Sequence, residues 1–100
     1  MSKVGICLLN WNGMKYTAAC ILSLIEQDHK NINIYALDQG STDGSLQWLK
    51  KLHESKAIDL TDAGKNVGFS TGNNTLIEKA LKDGCEYILI FNNDTRAFPD

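Results

Sequence analysis

The sequence has no basic stripe, no long apolar run and no cysteine pair at metal spacing, and each gap excludes a class of function. Ten basic residues face twelve acidic ones, for a net charge of −2. Charge scattered in this way leaves no electrostatic footprint for nucleic acid or an anionic membrane. The longest apolar runs are a few residues, far short of the roughly 20 that cross a bilayer. The opening stretch MSKVGICLL lacks the long apolar core of a signal peptide. Cys7, Cys20 and Cys85 form no CxxC, and two of them fall inside apolar patterns, so they read as buried, inert thiols of a reducing cytoplasm. His29 and His53 have polar surroundings and no partner at ligand spacing, and read as surface histidines. Neither GxGxxG nor GxxxxGKS/T follows the first apolar segment, which argues against dinucleotide and P-loop classes. A receiver domain would want an acidic cluster there, and Asn10 and Asn12 stand in its place.

What is present is an alternation of two periods. One hundred residues, 43% of them hydrophobic, make one domain of ordinary globular composition with no linker or repeat. VGICLL, INIYAL, AIDL and YILIF are short and rich in apolar or β-branched residues, as strands are. Helical patterns lie between them. In KYTAACILSLIEQ, Ala18, Ile21, Leu22 and Ile25 share a face. In SLQWLKKLHE, Leu46, Leu49 and Leu52 form a stripe beside Trp48. In TLIEKALKDG, Leu76, Ile77, Ala80 and Leu81 form another, and Gly84 suits the stop. The order predicts an α/β fold, a Rossmann-like three-layer α/β/α arrangement with a mainly parallel sheet and right-handed crossovers.

In such sheets ligands gather beyond the carboxyl ends of the strands. Asn10, Trp11, Asn12 and Gly13 follow the first strand, and DQGSTDGS (38–45) follows the second. GKNVGFSTGNN (64–74) follows the third, and Asn92, Asn93 and Asp94 follow the fourth. All four tips are crowded with small polar residues. Asp38 is placed either to accept hydrogen bonds from a base or ribose or to cap the next helix. Thr42 and Asp43 lie nearer that helix, so the ligand role is preferred for Asp38 and the cap is given to Asp43. Gly40 and Gly44 allow the tight turn. Asn66, Asn73 and Asn74 offer amides for positioning. Asp94, a carboxylate beside amide oxygens, is placed either to hold a divalent cation together with a diphosphate or to serve as a turn residue before Pro99.

LNWNG, LDQGSTDGS, KNVGFSTGNN and FNNDT, in this order and spacing, resemble the N-terminal half of family 2 glycosyltransferases, with greatest likeness to rhamnosyltransferase-like members. The resemblance runs from Val4 to Pro99. It implies the nucleotide-binding half of a GT-A fold and transfer of a sugar from a UDP- or dTDP-linked donor. By the same resemblance Asn10 and Asn12 line the base and ribose pocket, and Asp38 contacts the base. Asn66 and Gly72, Asn73 and Asn74 flank the donor. Asn92 and Asp94 occupy the DXD-type motif, with Asp94 holding Mn²⁺ or Mg²⁺. Three positions depart from the family pattern: Asn92 for the first aspartate, Gln39 after Asp38, and Thr75–Leu76 where a glycine is common.

The family's acceptor site and catalytic base come from its C-terminal half, which lies beyond Asp100. Residues 1–100 are therefore expected to form a donor-binding half, truncated before the acceptor half, that does not catalyse transfer alone, and no catalytic residue is assigned. The alternative is a non-catalytic nucleotide-binding or regulatory α/β module. A sheet ending at its fourth strand should expose an edge and apolar surface, which predicts a homo-oligomer. The setting expected is cytoplasmic, with a peripheral place at the inner membrane face if the chain serves cell-envelope polysaccharide synthesis.

Overall fold

A computed structural model describes residues 3–26 and 31–92. Strand β1 (Val4–Asn10) leads to helix α1 (Met14–Glu26), and β2 (Ile32–Asp38) to α2 (Ser45–Glu54). Then come β3 (Asp59–Asp62), α3 (Phe69–Lys82) and β4 (Tyr87–Asn92). The sheet order is β3-β2-β1-β4, and every neighbouring pair is parallel. The carboxyl ends of all four strands therefore meet at one edge, as expected.

Strand alternation divides the core in two. Ile6, Leu8, Ile34 and Ala36 face Ile21 of α1 and Leu49 of α2. Cys7, Leu9, Tyr35 and Leu37 face Leu76 and Ala80 of α3. Because β1 and β2 are covered on both sides, their sequences are apolar at consecutive positions rather than every second one. This is the expected three-layer α/β/α fold. No helix among the described residues is long and apolar enough to cross a membrane.

The expected helix faces need correction at three positions. In α1 the buried residues are Thr17 and Ile21, with Cys20 and Leu24 packed against the same core, while Leu22 and Ile25 are exposed. In α3 the stripe holds for Leu76, Ile77 and Ala80, but Leu81 is 59% exposed. The apolar pattern was wide enough to fit two faces, and packing against the sheet selected one. The third strand starts at Asp59 rather than Ala57. Ile58 is buried just ahead of it, and the Asp59 carboxylate is taken by Lys79. Gly84 ends α3 in the left-handed region at φ 87°, where the lack of a Cβ removes the steric cost.

Candidate functional site

The carboxyl edge is built from two unlike parts, and the first is a closed polar cluster. Asn10, the last residue of β1, and Asp38, its register partner at the end of β2, are both fully buried. Asn10 Nδ2 donates to Asp38 Oδ1 (2.7 Å), Ser45 Oγ (2.9 Å) and Ser41 Oγ (3.1 Å). Its Oδ1 accepts from Thr17 Oγ1 at 2.7 Å. Asp38 Oδ1 also accepts from Ser41 Oγ, and Oδ2 accepts from the backbone N–H groups of Gly40 and Ser41. One amide and one carboxylate thus tie both strand tips to the starts of α1 and α2. Such a network is stable in a dry interior because its members are satisfied.

Asp43 extends this frame. Its Oδ1 accepts from Ser45 N and Ser45 Oγ, and Oδ2 accepts from Met14 N, so one carboxylate serves the first turns of two helices. Desolvation acts to raise its pKa, but these hydrogen bonds outweigh it and hold the carboxyl below the usual aspartate value. Gly44 occupies the N-cap position at φ 91° and supplies no side-chain bond. Asn12 lies in the left-handed region at φ 48°, which asparagine tolerates. Its Oδ1 accepts from Thr42 N at 2.7 Å.

The second part is open. Gln39 bridges to it, its Oε1 accepting from Val67 N and Gly68 N. Asn66 Oδ1 accepts from Gly68 N at 2.8 Å. Helix α3 then begins at Phe69 with no side-chain cap, leaving its first N–H groups without the usual acceptor. The expected third loop (64–74) is therefore shorter, and Gly72, Asn73 and Asn74 lie in the first turns of a helix. Buried Asn73, Leu76 and Ala80, with partly buried Ile77, have the 3,4,7 spacing of one helical face. Gly72 lets the helix pass close to β1: a Cβ there would lie 2.7 Å from Leu9 Cδ2, so the Leu9 side chain would have to shift. The close approach of α3 is made at this glycine, so Thr75–Leu76 does not prevent it.

Each expected site residue can now be placed. Asn10 and Asp38 are brought together, but their hydrogen-bonding capacity is used within the protein. Asn12 and Asn66 are exposed; both spend an oxygen on a loop, and among the described residues no bond engages their Nδ2 groups. Asn74 is exposed and Asn73 is 4% exposed. Neither polar atom of the Asn73 side chain has a partner among the described residues. Asn92 ends β4 in register with Leu9. Asp94, the expected metal ligand, lies outside the described residues, as does His29. Among the described residues no group of three His, Cys, Asp or Glu could hold a metal ion.

Sequence reasoning missed the structural part of Thr17, Ser41, Ser45 and Gln39. The bonds of Thr17, Ser41 and Ser45 to Asn10 span 7 to 35 residues, and those of Gln39 to Val67 and Gly68 span 28 and 29, so only the folded chain brings them together. Trp11 and Phe69 at the same edge are 58% and 55% exposed, leaving two aromatic faces beside the amides. Cys7 and Cys85 are buried as expected, whereas Cys20 is only partly buried. Burial and the neighbouring Cys85 push the Cys7 thiol up to about 11, and burial raises Cys20, so neither supplies a thiolate near neutral pH. His53 is exposed, and its Nδ1 accepts from Leu60 N at 3.0 Å.

Comparison with known families gives the same direction. The family model for glycosyl transferase family 2 matches residues 5–100. The chain belongs to glycosyl transferase family 2. An uncharacterized glycosyltransferase from Haemophilus influenzae is 30% identical over 95 residues, covering 94% of this chain and 37% of that protein. The structure of S. aureus TarS 1-349 in complex with UDP-GlcNAc superposes with a TM-score of 0.77 at 23% identity, over 92% of this chain and 26% of that one. The mannosyltransferase PcManGT from Pyrobaculum calidifontis, in complex with GDP-Man and Mn²⁺, gives 0.73 at 21%, over 92% and 27%. These likenesses show a shared GT-A, Rossmann-like fold. This glycosyl transferase chain spans between 10% and 37% of the length of the curated relatives it matches.

Proposed function

We propose that residues 1–100 form the donor-binding part of a sugar transferase that takes a UDP- or dTDP-linked sugar. One observation carries this reading. At the carboxyl edge, the oxygens of Asp38 and Asp43 are engaged by internal N–H and O–H donors, while unengaged donors remain on Asn12 and Asn66 and at the uncapped start of α3. An edge that offers unengaged N–H groups suits an acceptor-rich, anionic ligand such as a nucleoside diphosphate. Trp11 and Phe69 offer faces for a base. TarS in complex with UDP-GlcNAc and PcManGT with GDP-Man and Mn²⁺ support the ligand class by analogy.

In this reading Asn10 and Asp38 do not touch the base directly. They hold the turns that carry Gln39, Ser41 and Asn12 in place, and the residues facing the donor are Asn12, Asn66 and Asn74. Asp94, two residues after Asn92 in the sequence, would hold Mn²⁺ or Mg²⁺. The ion would neutralise charge on the departing diphosphate. The acceptor and the base that activates it would come from the portion that the longer relatives possess, so this chain alone would bind donor without transferring sugar. A role in cell-envelope polysaccharide synthesis at the cytoplasmic side of the inner membrane completes the proposal.

The test is calorimetric titration with UDP and with dTDP, with and without Mn²⁺, on the wild type, Asp94→Ala and Asn66→Ala. Binding should depend on the metal and be lost in Asp94→Ala. Asn66→Ala should weaken it by about tenfold, the equivalent of about 1.4 kcal/mol. Absence of binding under every condition would overturn the reading.

A further inference from the structure

The turn after β2 and the loop ahead of α3 are distant in sequence and joined at three points. Ala63 N donates to Asp38 O at 2.9 Å. Gly40 lies so close to the other loop that a Cβ on it would be 3.3 Å from Gly64 O and from Lys65 Cα. Gln39 makes the third joint, its Oε1 accepting from Val67 N at 3.0 Å and from Gly68 N at 3.2 Å. Among the described residues this is the joint that a side chain makes. Asp62 and Asn66 spend their side-chain oxygens on Gly64 N and Gly68 N, within their own loop.

Gln39 is itself held at both ends. Its N–H donates to Asn10 O at 2.9 Å, which ties it to the tip of β1. Two N–H donors then meet the acceptor capacity of its side-chain oxygen. An asparagine here would end one methylene short of those donors. The body of α3 has other anchors, since Leu76 and Ala80 pack on the sheet and Lys79 donates to Asp59 and Thr61. The stretch ahead of it has little burial to hold it. Asn66, Gly68 and Phe69 are exposed, and Val67 is only partly buried. An exposed segment of this kind keeps its place through the few bonds it makes.

We propose that Gln39 is a positioning residue for the donor site. It latches the loop ahead of α3 to the tips of β1 and β2, and so sets the spacing between Trp11 and Asn12 on one side and Asn66 and Phe69 on the other. This role rests on the donor reading. A nucleoside diphosphate engages both sides at once, so its affinity depends on their spacing being fixed before it arrives. A nucleoside, which engages fewer of these groups, depends on the latch less. Gln39 thereby favours the whole nucleoside diphosphate over its base and ribose alone.

The test is nuclear magnetic resonance titration of the hundred-residue chain with UDP and with uridine in Mg²⁺, together with amide exchange at Val67 and Gly68. Gln39→Leu, similar in size and without an acceptor, should speed both exchange rates and weaken UDP by about tenfold, with uridine changed by less than about twofold. Gln39→Glu keeps the length and the acceptor. It should restore slow exchange and bring UDP affinity to within about threefold of the wild type at physiological salt. Equal UDP binding by the wild type and Gln39→Leu would overturn this role and leave the donor reading standing. A loss shared equally by UDP and uridine would overturn it as general loosening of the fold. Slow exchange in Gln39→Glu without recovery of UDP affinity would also overturn it, by making the amide a ligand contact rather than a latch. A wild type that binds no UDP would overturn the donor reading and this role with it.

Discussion

The two halves of the carboxyl edge solve the same problem in opposite ways. At the tips of β1 and β2, buried Asn10, Asp38, Ser45 and Thr17 and half-buried Ser41 bond one another and are held in place. At the start of α3, Asn66 and Gln39 make single-ended bonds and Asn73 makes none among the described residues. The first half is a frame and the second still has capacity. Polar residues at a strand tip are therefore not ligands by default, and the ones with unengaged donors deserve that role first.

The sharpest way to break the contrast is to remove the anchor of the closed half. Asp38→Ala leaves the Asn10 amide and the Gly40 and Ser41 N–H groups without their acceptor in a buried site. Loss of one partner from such a network costs about 3 kcal/mol or more, a large part of the stability of a small domain. Urea denaturation should show it as a lowered midpoint with an unchanged slope. A loss under about 1 kcal/mol would mean that the cluster does not hold the tips.

Gly72→Ala tests the seam between the halves. The added methyl meets Leu9 at 2.7 Å, and overpacking of this kind costs about 1–3 kcal/mol, against a gain of up to about 1 kcal/mol in helix propensity. A net loss of about 1 kcal/mol is expected, and Leu9→Val should recover it in the double variant. Additive losses would place the strain elsewhere.

Asn73→Leu should raise stability by about 1 kcal/mol, since a buried amide with no partner among the described residues is replaced by an apolar side chain of similar size. A clear loss would show that the amide is paired in solution, and that the open half is less open than it looks.

The smallest effect concerns Asp43 and acid. Its folded pKa lies below the unfolded value, so its contribution is complete above about pH 4 and is lost as pH falls through the folded value. Asp43→Asn should lower neutral-pH stability by about 1 kcal/mol, the usual worth of a helix-start bond. It should also flatten the low-pH limb of the stability profile. An unaltered limb would remove Asp43 from the frame.

Much of this molecule was readable from the sequence. The alternation of apolar segments and helical stripes fixed three strand–helix units and a fourth strand, because period 2, period 3.6 and double-sided burial leave distinct patterns. Four polar tips in order were enough to place the family. The sequence did not show which tips were occupied, because Asn10 and Asp38 look the same whether they face a ligand or each other. Their partners lie as far as 35 residues away, and only the sheet order β3-β2-β1-β4 sets those tips side by side. Nor could it show that α3 begins at Phe69 and approaches Leu9 at Gly72, since a glycine and two asparagines read as loop until packing offers a helix a face to bury. Local periodicity determined the elements. Long-range contact decided which polar groups were left with anything to bind.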